Sequence, residues 1–199
     1  MNGDIVDLVF PLRGQAIRQD YADVLWRALS ARLPWLADDP MVGVHPLTSV
    51  SAGDHELYLT RRAKLTLRLP ATRVEAARAL TGSRLELAGE VEIGAASVKP
   101  LAPIKTLYSS FVTLGVDVEA DFLAACEAQL ASAAIPAQLV CGKAHVGHGQ
   151  DGEWRGFSLM LFGLTVNDSL RMQREGLGGE RKRGCGIFVP HKSVAAVSE

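Results

Sequence analysis

The segment EGLGGERKRGCGIFVP, residues 175–190, gathers five glycines and three consecutive cations, Arg181, Lys182 and Arg183, into one short stretch. Glycines that turn freely expose backbone N–H groups, and with cationic side chains these are the two means by which a loop holds an anion. Neither familiar nucleotide loop fits. Gly179 and Gly184 have the spacing of a phosphate-binding P-loop, but Cys185 and Gly186 stand where Lys and Ser/Thr are required. In the dinucleotide pattern Arg181 replaces the third glycine, and both loops run from strand to helix, whereas this one runs from helix to strand and is offered the wrong pole of the dipole. Such a loop suits a phosphodiester backbone held along several contacts. Its plainer reading is a helix C-cap at Gly176 followed by a solvated turn.

A second cationic element lies upstream. Arg62, Lys64, Thr66 and Arg68 alternate with Ala63, Leu65, Leu67 and Leu69, so a strand there carries a cationic face and an apolar one. That face meets something negative or only water. Together the two elements would line a groove that follows a nucleic-acid backbone. Cys141-x₃-His145-x₂-His148 offers three ligand types in a glycine-punctuated loop with no fourth partner, so no zinc site is expected.

These residues must be positioned by about one large or two smaller domains, which 199 residues, 48% of them hydrophobic, can support. Three cysteines without C-x-x-C spacing indicate neither a disulfide framework nor a zinc finger and fit a reducing cytoplasm. The first residues, MNGDIVDL, carry acids where a signal peptide carries cations, and no apolar run reaches the roughly 20 residues of a membrane span, so a soluble, cytoplasmic protein is expected. The net charge of −1 argues against indiscriminate coating of nucleic acid.

Periodicity reads Ile5–Leu12 as a strand and Tyr21–Leu33 as a helix, then Val42–Leu47 and Leu57–Leu69 as extended segments. Thr72-x-x-Glu75 has the form of a capping box opening a short helix to Leu80, and RLELAGEVEI (84–93) reads as a hairpin that closes the first half. PLAPIK (100–105) is the linker. The order then repeats: strand Leu107–Leu114, helix Val118–Leu130, strands Ala137–Val140 and Gly156–Leu164 around a polar loop, a helix capped by Thr165 and ending at Gly176, and strand Ile187–Val189. Each half reads βαββαβ, predicting an α+β protein of two tandem ferredoxin-like domains, 1–103 and 104–199, with the glycine-rich loop near the C-terminus.

GLGGERKRGCGIF closely resembles the C-terminal glycine-rich signature of the CRISPR repeat-processing endoribonucleases, the CRISPR-associated protein six family of the RAMP superfamily. VDLVFPLRG (6–14), VGVHPL (42–47), LTLRLP (65–70), the VKPL that ends the first half and FGLTVNDSLRMQREGLGG (162–179) resemble its Myxan-type subgroup in the same order. The resemblance implies two ferredoxin-like domains and cleavage of precursor CRISPR RNA within the repeat, without metal or cofactor, leaving a 2′,3′-cyclic phosphate and a 5′-hydroxyl. It implies repeat RNA, as a stem-loop, for a partner, and effector-complex subunits for members that join one. No membrane partner is expected.

Such chemistry needs a base for the 2′-hydroxyl, in-line attack and cations for the phosphorane, and histidine is the base that titrates near neutrality. Of five histidines, His45 in VGVHPL matches the subgroup best, as the family's base is usually in the first domain; His55, in the polar loop SAGDHEL, is the runner-up base or acid. His191 is expected to be exposed. Gly178, Gly179, Arg181, Lys182, Arg183, Arg62, Lys64 and Arg68 are the candidate RNA contacts, Arg62 and Lys64 also serving the phosphorane. Two other readings stand beside the nuclease: a non-catalytic RNA-binding subunit of the same superfamily, and a tandem module for a small anionic effector.

Overall fold

A computed structural model describes residues 4–47, 49–51, 56–87 and 89–191. The first half runs β1 (Ile5–Arg13), β2 (Ala16–Arg18), α1 (Tyr21–Arg32), α2 (Trp35–Asp38), β3 (Gly43–Val44), β4 (Ser49–Ser51), β5 (Glu56–Leu59), β6 (Lys64–Pro70), α3 (Val74–Ala77), β7 (Arg84–Glu86), β8 (Glu90–Ile93) and β9 (Ser97–Pro100). The second runs β10 (Thr106–Val112), α4 (Glu119–Ser132), β11 (Gln138–Gly149), β12 (Gly152–Phe162), α5 (Val166–Glu175) and β13 (Val189–Pro190). In the first sheet β1 lies between β6 and β9, with β3 beyond β6; in the second β10 lies between β12 and β13, with β11 beyond β12. All these pairs are antiparallel, so both halves have the ferredoxin-like strand order.

Alternation builds each core. Leu8, Phe10 and Leu12 of β1 and Leu65, Leu67 and Leu69 of β6 point to one face, where Leu25 and Leu29 of α1 and Val74 and Ala77 of α3 cover them. Each of the Leu, Val and Phe side chains contributes about 1.5 to 3 kcal/mol by leaving water. A separate core joins Leu107, Leu159 and Leu161 to Phe122, Cys126 and Leu130 of α4 and Met172 of α5. Thr165 caps α5 as its sequence predicts: the Asp168 N–H donates to its Oγ1 at 3.2 Å, and Gly176 closes the helix at φ 73°.

Four expectations change. Leu57–Leu69 is two strands, β5 and β6, separated by a turn. The Thr72 capping box does not form, because a 3₁₀ turn at Ala71–Arg73 starts directly after Pro70 and leaves Thr72 inside it. RLELAGEVEI is a hairpin, but the strand completing the first motif is β9, whose residues 97–100 run directly into the linker. The polar loop within 141–155 is the continuation of β11 and β12 into a long hairpin. Its glycines resemble loop punctuation but mark close approach: a Cβ on Gly147 would lie 2.2 Å from Trp154 Cε2.

Candidate active site

The register of β1, β6 and β3 sets Arg68 opposite both Asp7 and Gly43, and brings Asp7, Arg68 and His45 onto the sheet face away from the first core. His45 follows β3, its N–H donating to Thr66 O at 2.9 Å. Its side chain is only 12% exposed, and Nε2 lies 3.3 Å from Asp7 Oδ1, close enough for charge to act though not aligned as a hydrogen bond. Asp7 favours the tautomer with its proton on Nε2, leaving Nδ1 as the unprotonated nitrogen of a ring that lines a cleft. Burial lowers the pKa of His45; Asp7 opposes this and Arg68 reinforces it, so the ring is neutral at neutral pH. Asp7 sits well below the usual carboxylate range: burial works to raise it, but His45 and Arg68 outweigh that.

Arg68 corrects the predicted cationic face. It is fully buried, grips Asp7 through Nε at 2.7 Å and Nη2 at 2.9 Å, and donates from Nη1 to Gln173 O and Phe188 O of the second half at 2.9 and 2.7 Å. All three guanidinium nitrogens donate within the protein and the side chain is fully buried, so it is not placed to meet RNA. The sequence pattern was right about alternation; it could not show that the second half covers one end of this face. Arg62 and Lys64, further along, are exposed. His55 lies outside the described residues.

The glycine-rich loop also spends its cations internally. Arg181 donates to Arg174 O at 2.7 Å and Gln173 O at 3.3 Å, capping the end of α5, and burial pushes its pKa down to about 10. Lys182 lies 5.5 Å from the Trp26 ring centre and donates to Ala37 O. Arg183 pairs with Asp23 at 2.9 Å, Glu180 at 2.7 Å and Asp151 at 3.2 Å, over the Trp154 ring at 5.3 Å. The negative charge this loop holds in the free protein is the protein's own, and Asp23 and Ala37 belong to the first half. Gly178 and Gly179 are exposed, on a depression apart from His45, with Gly179 N–H bonded to Thr113 O at 3.0 Å.

A cleft of about 740 Å³ opens between the halves. His45 and Tyr21 line it from the first half, His145, His148 and Trp154 from β11 and β12, and Lys182 and Arg183 from the loop. Tyr21 accepts the Leu47 N–H at 2.7 Å, which fixes the chain just past His45, and burial pushes its pKa up to about 12. Sequence reasoning missed Asp7, Tyr21, Asp23 and His145. Asp7 had a signal, being the one acid in the apolar run IVDLVF, which demands a buried partner. The spacing of His145 and His148 raised only zinc; among the described residues no group of three or more potential metal-ligating side chains occurs. His191 is partly buried, its ring 5.6 Å from that of Tyr108.

Two tandem ferredoxin-like folds define the class, and solved proteins share that fold. The chain superposes on a CRISPR-associated Cas6 protein with TM-score 0.67 at 8% identity, over 95% of this chain and all of that one. A RAMP protein described as binding different RNA substrates superposes with TM-score 0.71 at 9% identity, over 92% and 98% of the two chains. At the level of sequence, the family described as Cas6 Crispr matches residues 6–193. The CRISPR-associated endonuclease Cas6 of Myxococcus xanthus (strain DK1622) is 37% identical over 195 residues, 96% of this chain and 84% of that protein. The chain belongs to the Cas6 family.

Proposed function

We propose that the protein is an endoribonuclease that cuts precursor CRISPR RNA within the repeat to release guide RNA, by metal-independent attack of a 2′-hydroxyl on the adjacent phosphorus. The observation that carries this reading is His45, a neutral histidine that lines the interdomain cleft with Nε2 held toward Asp7. Nδ1 takes the 2′-hydroxyl proton, O2′ attacks in line, and the O5′ bond breaks to give a 2′,3′-cyclic phosphate and a 5′-hydroxyl. Exposed Arg62 and Lys64 are the first-half cations for flanking phosphates, and the exposed turn at Gly178 and Gly179 is a second surface the RNA backbone can approach. The working division is 1–103 for the base and 104–199 for the opposing wall, with repeat RNA as the partner.

The test is incubation of the purified protein with the CRISPR repeat RNA of its own genome in excess EDTA. Cleavage at one site, with a cyclic-phosphate end and none when the 2′-hydroxyl at that site is replaced by hydrogen, supports the reading. Cleavage abolished by EDTA and restored by magnesium overturns the mechanism. Tight binding without cleavage makes the protein an RNA-binding subunit instead.

A further inference from the structure

The second half contributes a histidine to the same cleft. His145 lies on β11 with its ring 5.5 Å from that of Phe111, tilted by 41°, and no hydrogen bond to its ring nitrogens forms among the described residues. Phe111 is tied to the glycine-rich loop, since Gly186 N–H donates to Phe111 O at 2.7 Å. At Gly184 the same loop lies against Pro46, whose Cγ would be 3.4 Å from a Cβ added there, and Pro46 follows His45 directly. Loop and cleft therefore link two histidines from different halves. The third, His148, is engaged otherwise, its Nδ1 3.2 Å from Glu153 Oε1 at an exposed position.

We infer that His145 is the general acid of the cleavage, donating a proton to the departing 5′-oxygen while His45 accepts one from the 2′-hydroxyl. This rests on the nuclease reading above. As the O2′–P bond forms and the P–O5′ bond breaks, the 2′-hydroxyl proton passes to His45 Nδ1 and the ring proton of His145 passes to O5′. The products are the cyclic phosphate and a neutral 5′-hydroxyl, with His45 protonated and His145 neutral; exchange with water restores both. Desolvation, and Lys143 after it, lower the hold of His145 on a proton in the free protein. A seated phosphodiester brings negative charge beside the ring and acts in the opposite direction. The imidazolium held beside that phosphate is then placed to donate to an alkoxide, whose need for protonation is greatest at the end of the step.

The test replaces the leaving oxygen. Repeat RNA carrying a bridging 5′-sulfur at the mapped cut site departs as a thiolate, which needs no proton because a thiol ionises near pH 8.5. His145→Ala and His145→Gln should each cut the ordinary RNA about 100-fold or more slowly than the wild-type protein. Both should cut the sulfur RNA within a few-fold of the wild-type rate. Their affinity for an uncleavable 2′-deoxy repeat reports that the fold and cleft are intact. His45→Ala should remain slow on both RNAs. If the His145 variants cut ordinary RNA at full rate, or are slowed equally on both RNAs, the acid is elsewhere and this assignment is overturned while the nuclease reading stands. If the wild-type protein cuts neither RNA, the nuclease reading fails and this inference falls with it.

Discussion

His45 is poised by two unequal pressures. Burial disfavours its charged form and Asp7 favours it, with burial the larger. A base whose folded pKa is lowered stays neutral further into acid, so the acid limb of kcat/KM should fall below about pH 6.5, the ordinary imidazole value. A pH–rate profile measures this directly, and a limb well above that value would detach catalysis from His45. His45→Ala should slow cleavage roughly 100- to 10,000-fold, the range of a positioned general base, with little change in affinity for a 2′-deoxy repeat. Single-turnover rates and filter binding separate the two effects. Asp7 contributes to stability with a pH dependence that runs in the same direction, lost toward acid. Its folded pKa is depressed, so the stabilisation is complete above its unfolded value of about 3.9 and is lost as pH falls toward the folded one. The stability gap between the wild-type protein and Asp7→Asn should accordingly narrow below about pH 4 in denaturant titrations.

Among the elements, the glycine-rich loop and β6 exchange the roles their composition implies. The loop clasps the first half through Arg183 and the buried Asp23, whose other side-chain partners are Arg27 at 3.1 Å and the Gln150 N–H at 3.4 Å. Removing Arg183 leaves a buried carboxylate underpaired, and Arg183→Ala should cost about 2 kcal/mol of stability by chemical denaturation. The salt dependence of RNA binding should stay unchanged, since a cation already paired within the protein releases few counterions from RNA. In contrast, Arg62 and Lys64 are exposed on and beside β6. Arg62→Ala with Lys64→Ala should lower the log–log salt slope by roughly 0.7 to 0.9 for each phosphate no longer neutralised. A slope flattened by Arg183→Ala and untouched by the other pair would return RNA to the loop. β11 was legible only in part, because its glycines read as turns until Trp154 is seen to occupy the space above Gly147.

For the molecule as a whole, the decisive contacts cross between halves. Arg68 joins Asp7 to the backbone of Gln173 and Phe188, while Arg183 and Lys182 reach Asp23 and Ala37. Halves tied in this way should unfold in one calorimetric transition. Arg68→Ala strands Asp7 and two carbonyls in a buried interface; it should cost roughly 3 to 5 kcal/mol and split that transition in two. Two transitions in the wild-type protein would show that the clasp does not couple them. The ferredoxin order of each half, the Thr165 cap, the strand before His45 and the apolar and polar faces of β6 were all set by local rules: periods of two and 3.6, capping chemistry and turn residues. Those rules act over a few residues and need no knowledge of a partner. The sequence by itself therefore determined the two folds and marked His45, and it bore a family signature along nearly its whole length. Which cations remain free, which acids are buried and which histidines share a cleft depended on how the halves meet, through contacts spanning 105 residues for Arg68 with Gln173 and 160 for Arg183 with Asp23. A side chain's charge is written in its residue type, but whether that charge faces RNA or another buried side chain is decided by desolvation and geometry at the interface, and only the tertiary structure supplies those.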